Sequence, residues 1–188
     1  MKYIIVGAVA GGASTAARIR RLDEHAEIII FEKGEYISFA NCGLPYYIGD
    51  VIKDRNKLFV QTAAAFNQRF NIDVRVQTEV TAINPSAKTI TAVKQVTGEV
   101  YEENYDKLIL SPGAEPVRPP LPGIGIEGIF TLRNVRDTDY IKAYVQQKHV
   151  SKVVIIGAGF IGLEMAENFY DLGMNVTVIE MINQVMAP

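Results

Sequence analysis

The sequence is poor in the residues that carry metal and disulfide chemistry. Cys42 is the one cysteine among 188 residues, so no intrachain disulfide can close and no CxxC dithiol exists. Redox chemistry at that sulfur therefore needs a partner thiol, a small-molecule thiol or an oxidised sulfur state. The two histidines, His25 and His149, stand far apart, which argues against a zinc site. Neither charge is in excess: 19 basic against 21 acidic residues give a formal −2, which disfavours a nucleic-acid surface. No uncharged apolar run reaches the ~18–20 residues that cross a bilayer. What is present is 48% hydrophobic and 21% charged, close to a globular average, which excludes a disordered chain, a coiled coil and a collagen-like fibre. At ~100–200 residues per domain, the length allows one domain or one and a part.

Lys2 followed by Tyr3-Ile4-Ile5-Val6-Gly7-Ala8 has the cation, apolar core and small residues of a secretory signal. Glycines at 7, 11 and 12 and the basic helix that follows argue instead for a buried strand entering a glycine turn, and a cytoplasmic protein is expected. Residues 2–6 read as a parallel strand, 12–22 as a helix and 27–31 as a second buried strand ending at Glu32. This opens a doubly wound α/β fold. A short helix is expected at 42–49 with Asn41 as its N-cap, and another at 62–70. Residues 73–103 alternate around Asn84-Pro85-Ser86 and Thr97-Gly98, the pattern of an inserted antiparallel meander. A buried strand at 108–110 follows, then a stiff connection over 114–125 marked by Pro116, Pro119, Pro120 and Pro122. Tyr140, Ile141, Tyr144 and Val145 give a helical stripe over 138–148.

The opening pattern then repeats. Val153-Val154-Ile155-Ile156 leads into Gly157-Ala158-Gly159-Phe160-Ile161-Gly162, a helix runs to about Leu172 with Gly173 as its stop, and Val176–Ile179 ends at Glu180. A dinucleotide-binding half needs a third strand, so an N-terminal piece of a longer protein is expected. The expected division is 1–113, then 114–150 as connection and helix, then 151–188 as the truncated start of a second domain. Gly157, Gly159 and Gly162 form a full dinucleotide fingerprint. The first permits the tight turn, the second admits the pyrophosphate to the backbone, and the third lets helix and strand pack. Glu180, 18 residues past Gly162, suits adenosine ribose hydroxyls and repels a 2′-phosphate, which favours NAD over NADP. In the first copy Val9 stands where the second glycine belongs, and Glu32 lies 20 residues past Gly12.

Two further features leave alternatives open. In the first turn of a helix, Cys42 would meet N–H groups that stabilise a thiolate. The other reading is a buried, inert thiol. Ser14, Arg18 and Arg21 fall on one helical stripe, where two guanidiniums can clamp a phosphate. The other reading is solvated basic residues that complement the helix dipole.

With its two nucleotide units, Leu108-Ile109-Leu110-Ser111-Pro112-Gly113-Ala114 and the setting Ser38-Phe39-Ala40-Asn41-Cys42-Gly43-Leu44-Pro45, the whole sequence resembles one family. It is the single-cysteine branch of the FAD- and NAD(P)-dependent pyridine nucleotide-disulfide oxidoreductases and, within it, the coenzyme A-disulfide reductases. The resemblance implies a Rossmann-like FAD-binding domain with an inserted antiparallel β-meander, followed by the start of a Rossmann-like NAD-binding domain. It implies FAD on Gly7, Ala8, Val9, Ala10, Gly11 and Gly12, with Glu32 at its ribose and Lys33, Val80, Ser111, Gly113 and Arg133 around it. NADH, or NADPH, would dock on the second turn with Phe160 and Ile161. Cys42 would face the flavin and form a mixed disulfide with coenzyme A, held by Ser14, Arg18, Arg21, Ser38 and Asn41, the substrate being coenzyme A disulfide or a related small disulfide or persulfide. The stripe then has a use, since coenzyme A brings a pyrophosphate and a 3′-phosphate. The resemblance also implies a homodimer with no nucleic-acid or membrane partner, and an inactive fragment. A rival within the family is an NADH oxidase or peroxidase that cycles through a Cys42 sulfenic acid. Those enzymes usually carry a histidine where Ala10 stands, which argues against peroxide chemistry. A rival outside it is a non-catalytic nucleotide-binding module.

Overall fold

The apolar N-terminal run becomes the hub of a parallel sheet. In the computed structural model, which describes residues 1–186, the chain begins with β1 (Lys2–Val6), α1 (Gly11–Leu22), β2 (Glu27–Phe31), α2 (Leu44–Ile48), α3 (Ala63–Phe70) and β3 (Asp73–Arg75). It continues with β4 (Thr78–Asn84), β5 (Thr89–Lys94), β6 (Val100–Asn104) and β7 (Lys107–Leu110), then α4 (Val135–Gln147), β8 (Lys152–Ile156), α5 (Phe160–Asp171) and β9 (Asn175–Ile179). These elements fall into two units, Met1–Phe39 with Phe59–Ala114, and Ala40–Leu58 with the residues from Glu115 on. Residues 40–58, inside the first domain of the sequence-based division, pack in the second unit.

In the first unit the strand order is β3-β2-β1-β7, every pair parallel. β1 has β2 on one side and β7 on the other, so its C-terminal end is the switch point where doubly wound folds place their ligands. One sheet face packs Ile5, Ile28 and Ile30 against Gly12-side alanines of α1, Ala13, Ala16 and Ala17, and against Phe66 of α3. Those small residues let helix and strand approach closely. The other face packs Ile4, Ile29 and Phe31 against Ile90 and Ala92 of the antiparallel sheet β4-β5-β6. A polar clamp closes the same junction: Glu103 of β6 accepts hydrogen bonds from Lys2 of β1 and Arg75 of β3, each at 2.6 Å.

The meander starts later than its alternation suggests. Asp73–Arg75 is the outer strand of the parallel sheet, with Val74 opposite Ile30, and the antiparallel ladder begins at Thr78. A three-residue edge strand is too short to show its own period. Thr62 caps α3 by accepting from the Ala65 N–H.

In the second unit β8 and β9 form a parallel pair, and Ile48, Ile141, Met165 and Phe169 from α2, α4 and α5 share one apolar cluster. α4 starts at Val135, three residues before the apolar stripe shows. The cause is a capping box between Asn134 and Asp137. No described helix is long and apolar enough to cross a membrane.

Candidate functional site

The first glycine turn is shaped by close backbone approach. Gly7 has φ +96°, and a Cβ there would lie 2.0 Å from Ser111 O. A Cβ on Gly12 would lie 1.7 Å from Gly7 O, so no side chain fits at either end of the turn. Glu32 completes it, accepting the Ala8 N–H on one carboxylate oxygen and the Gly34 N–H on the other, both at 2.8 Å. Each oxygen keeps a second lone pair. Ser38 sits in the left-handed region at φ +45° and donates its N–H to Ala8 O at 3.0 Å. Ser111 donates its N–H to Val6 O, and its hydroxyl lies against Gly11. The structure thus gathers Gly7, Ala8, Gly11, Gly12, Glu32, Ser38 and Ser111 at the switch point. Val9 and Ala10 lie on the same turn, Val80 packs half-buried on the sheet, and Lys33 and Gly113 are exposed.

The second turn repeats that geometry. Gly157 has φ +100°, and a Cβ on Gly162 would lie 2.0 Å from Gly157 O. Glu180 accepts from the N–H groups of Ala158 at 2.7 Å, Met181 and Ile182, and these bonds hold its carboxyl below the usual range. Gly159 differs: a Cβ there meets nothing within 4 Å. The fold does not demand glycine at 159, whereas a pyrophosphate lying on the backbone would. Phe160 and Ile161 are exposed at the start of α5.

Cys42 is exposed, which removes the buried, inert reading. Its local structure differs from expectation. Asn41–Gly43 is a single 3-10 turn preceded by Ala40, and α2 begins only at Leu44 after Gly43, with no side-chain cap on either. Asn41 is therefore not an N-cap, and Cys42 is not in the first turn of α2. The cap position of α2 falls on Gly43, which has no side chain to cap with, and Pro45 in the first turn offers no N–H. A methyl on Gly43 would stand 3.2 Å from Leu58 and 3.3 Å from Ile52, so the turn backs onto residues later in its own segment.

On α1, Ser14, Arg18 and Arg21 are all exposed, while Arg20 turns inward to carbonyls of Phe70, Glu24 and Asn71. One arginine of the three is thus spent on the fold. Arg133, in the second unit, pairs with Glu115, and its N–H bonds Asp137. Sequence reasoning missed Arg55, whose guanidinium grips Asp139, and Lys142, which bonds Asp50 and Tyr47 O. Partners more than 80 residues apart leave no local pattern to read. Among the described residues no cluster of three metal-ligating side chains occurs. A cavity of about 260 Å³ in the second unit, lined by Arg118, Phe130, Thr131 and Tyr140 among others, holds none of the expected site residues.

A model of the family described as pyridine nucleotide-disulphide oxidoreductase matches residues 1–188. A coenzyme A disulfide reductase of Staphylococcus aureus is 47% identical over 190 residues, covering 98% of this chain and 42% of that protein. The solved structure of the reduced CoADR-RHD of Bacillus anthracis is 58% identical with a TM-score of 0.98, covering all of this chain and 34% of that one. An NAD-dependent persulfide reductase from A. fulgidus is 41% identical with a TM-score of 0.93, covering 98% of this chain and 34% of that one. The chain therefore spans well under half the length of each.

Proposed function

The chain belongs to the pyridine nucleotide-disulphide oxidoreductase family, enzymes that use FAD and NADH, and on that premise we propose that it is the part of a coenzyme A disulfide reductase that carries both cofactor turns and the redox sulfur, Cys42. The observation that carries the proposal is the exposed Cys42, the sole cysteine, in a chain with two complete strand-turn-helix-strand-acid units. Gly7 to Gly12 with Glu32 would hold FAD, and the fit is good. The turn admits no side chain at its ends, and Glu32 keeps acceptor capacity for ribose hydroxyls beyond the two N–H groups it already binds. Gly157 to Gly162 with Glu180 would hold NADH. The first unit is then the FAD-binding domain and the second the start of the NAD-binding domain. When bound, FAD passes two electrons from NADH to sulfur.

The chain's own part is thiol–disulfide exchange. The Cys42 thiolate attacks one sulfur of coenzyme A disulfide and expels a coenzyme A thiolate, which takes a proton from solvent. The resulting Cys42–coenzyme A disulfide accepts two electrons, and its S–S bond breaks to return the Cys42 thiolate and release the second coenzyme A as a thiolate, protonated in turn by solvent. Overall, one NADH and one proton convert one disulfide to two thiols. Ser14, Arg18, Arg21, Ser38 and Asn41 are assigned to the bound coenzyme A. Cys42→Ser tests the reading in the FAD-loaded full-length protein. Disulfide turnover is expected to vanish while NADH still bleaches the flavin. Wild-type turnover in that variant would end the proposal, and a sulfenic acid in place of a coenzyme A adduct on isolated protein would point to an oxidase.

A further inference from the structure

The segment that carries Cys42 is closed on itself. The Ala40 N–H donates to Leu58 O at 2.8 Å, which shuts residues 40–58 into a loop with the cysteine turn at its neck. Leu58 is fully buried and its side chain backs onto Gly43, so it is the floor beneath that turn. Leu58 also ends the 3-10 turn Arg55–Leu58, and α4 holds that turn from outside. Arg55 grips both carboxylate oxygens of Asp139, with Nε at 2.9 and 3.0 Å and Nη2 at 2.7 Å. Three residues along the same helix face, Lys142 donates to Tyr47 O and Asp50 at the end of α2, and its ammonium lies 4.2 Å from the centre of the Tyr47 ring.

α4 does not need these contacts to form. Its start is set by the Asn134–Asp137 capping box, and its buried face is Val135, Thr138 and Ile141. Two polar tethers from one helix converge on one loop, and a bidentate guanidinium–carboxylate pair fixes direction as well as distance. We infer that Asp139 and Lys142 are positioning residues for Cys42: by holding the floor and the far end of loop 40–58, they set where its sulfur stands when it meets a disulfide. This rests on the reading of Cys42 as the redox sulfur.

The test uses the FAD-loaded full-length protein with Asp139→Ala, Lys142→Met and the exchanged pair Arg55→Asp with Asp139→Arg. A misplaced nucleophile slows the step it performs by roughly ten- to a hundredfold. We expect that loss in kcat for coenzyme A disulfide in both single variants, with its KM and the rate of flavin reduction by NADH within about twofold of wild type. The exchanged pair should recover most of the loss. Should Asp139→Ala fail to fold, Lys142→Met and the exchanged pair decide. Wild-type kcat in the single variants overturns the inference. So does an equal fall in flavin reduction and disulfide turnover, which marks a merely structural role. Cys42→Ser, run alongside, separates the two levels. If it stays active, the reading of the sulfur falls. If it is inactive while the α4 variants match wild type, only the positioning role falls.

Discussion

The first strand-turn-helix-strand copy sits in a four-stranded sheet packed on both faces, and the second stands on a two-stranded pair. From Ile28 to Phe31, β2 is at most 2% exposed, whereas Val178 and Ile179 of β9 are 38% and 51% exposed. The turns nevertheless coincide. In each, the third glycine would drive a Cβ into the carbonyl of the first, and the acid after the second strand takes the N–H of the residue following the first glycine. A geometry kept through such different packing is set by the turn's own hydrogen bonds and by what it holds. Four positions differ. Val9 stands against Gly159, and at the same offsets from the third glycine Ser14, Arg18 and Arg21 of α1 stand against Glu164, Asn168 and Asp171 of α5. The basic stripe of α1 thus has no counterpart on the matching positions of α5.

The sharpest way to break the likeness is through the glycines. Gly12→Ala and Gly162→Ala force a methyl to 1.7 and 2.0 Å from a carbonyl, and each should destabilise the fold by about 4 kcal/mol or more in chemical denaturation. Gly159→Ala meets nothing, and its φ of −78° suits any residue. Its folding cost should be no more than ~1 kcal/mol, the usual scale for alanine at an N-cap. The KM for NADH should rise about tenfold or more, because the methyl fills the space where the pyrophosphate lies. An unchanged KM would remove the second turn from the cofactor site.

Much of this was legible because it is periodic or rigidly spaced. β2 is a continuous apolar run, and the fingerprint spacing at 157–162 is complete. Glu32 and Glu180 could be picked out as ligand acids, but their prior duty of holding their own turns through backbone N–H groups leaves no mark in sequence. Asn41 misled for a local reason: it has a capping side chain, but it opens a 3-10 turn that leaves Gly43 at the cap position of α2. The Arg55–Asp139 and Lys142–Asp50 tethers join residues 84 and 92 apart, and only the fold pairs them.

The stripe gives a second, smaller effect. A hydrogen bond between charged groups contributes ~1.5–3 kcal/mol, so Arg21→Ala should lower kcat/KM for coenzyme A disulfide roughly ten- to a hundredfold. A small disulfide without phosphates should be unaffected, and added salt should weaken the wild type more than the variant. Asp171→Ala, at the matching place on α5, should change neither substrate. Equal losses on both disulfides would return Arg18 and Arg21 to the solvent.

The smallest effect contrasts one acid from each unit. Burial pushes the Glu103 carboxyl up, but hydrogen bonds and charge from Lys2 and Arg75 outweigh it and hold the group below its ordinary value. Glu180 is also held low, by the backbone N–H groups of Ala158, Ile182 and Met181. A carboxyl depressed in the folded state contributes stability that is complete above the unfolded value of ~4.3 and is lost as pH falls through the lower folded value. Lys2 is shifted upward, so it stays charged throughout that window and cannot offset the loss. The two acids differ in what they join. Glu103 ties β1, β3 and β6 together at the meander's seat on the sheet, whereas Glu180 holds a turn beside an exposed strand. Urea midpoints of the chain should therefore be level from pH 7 to 5 with respect to both groups and fall below about pH 4. Glu103→Gln should lower the neutral-pH stability by about 1 kcal/mol and flatten that acid fall. Glu180→Gln should leave the curve nearly on the wild type and act on NADH affinity instead. Equal flattening by both variants would mean that the second turn supports its unit as strongly as the half-buried clamp supports the first, and the contrast between the units would be gone.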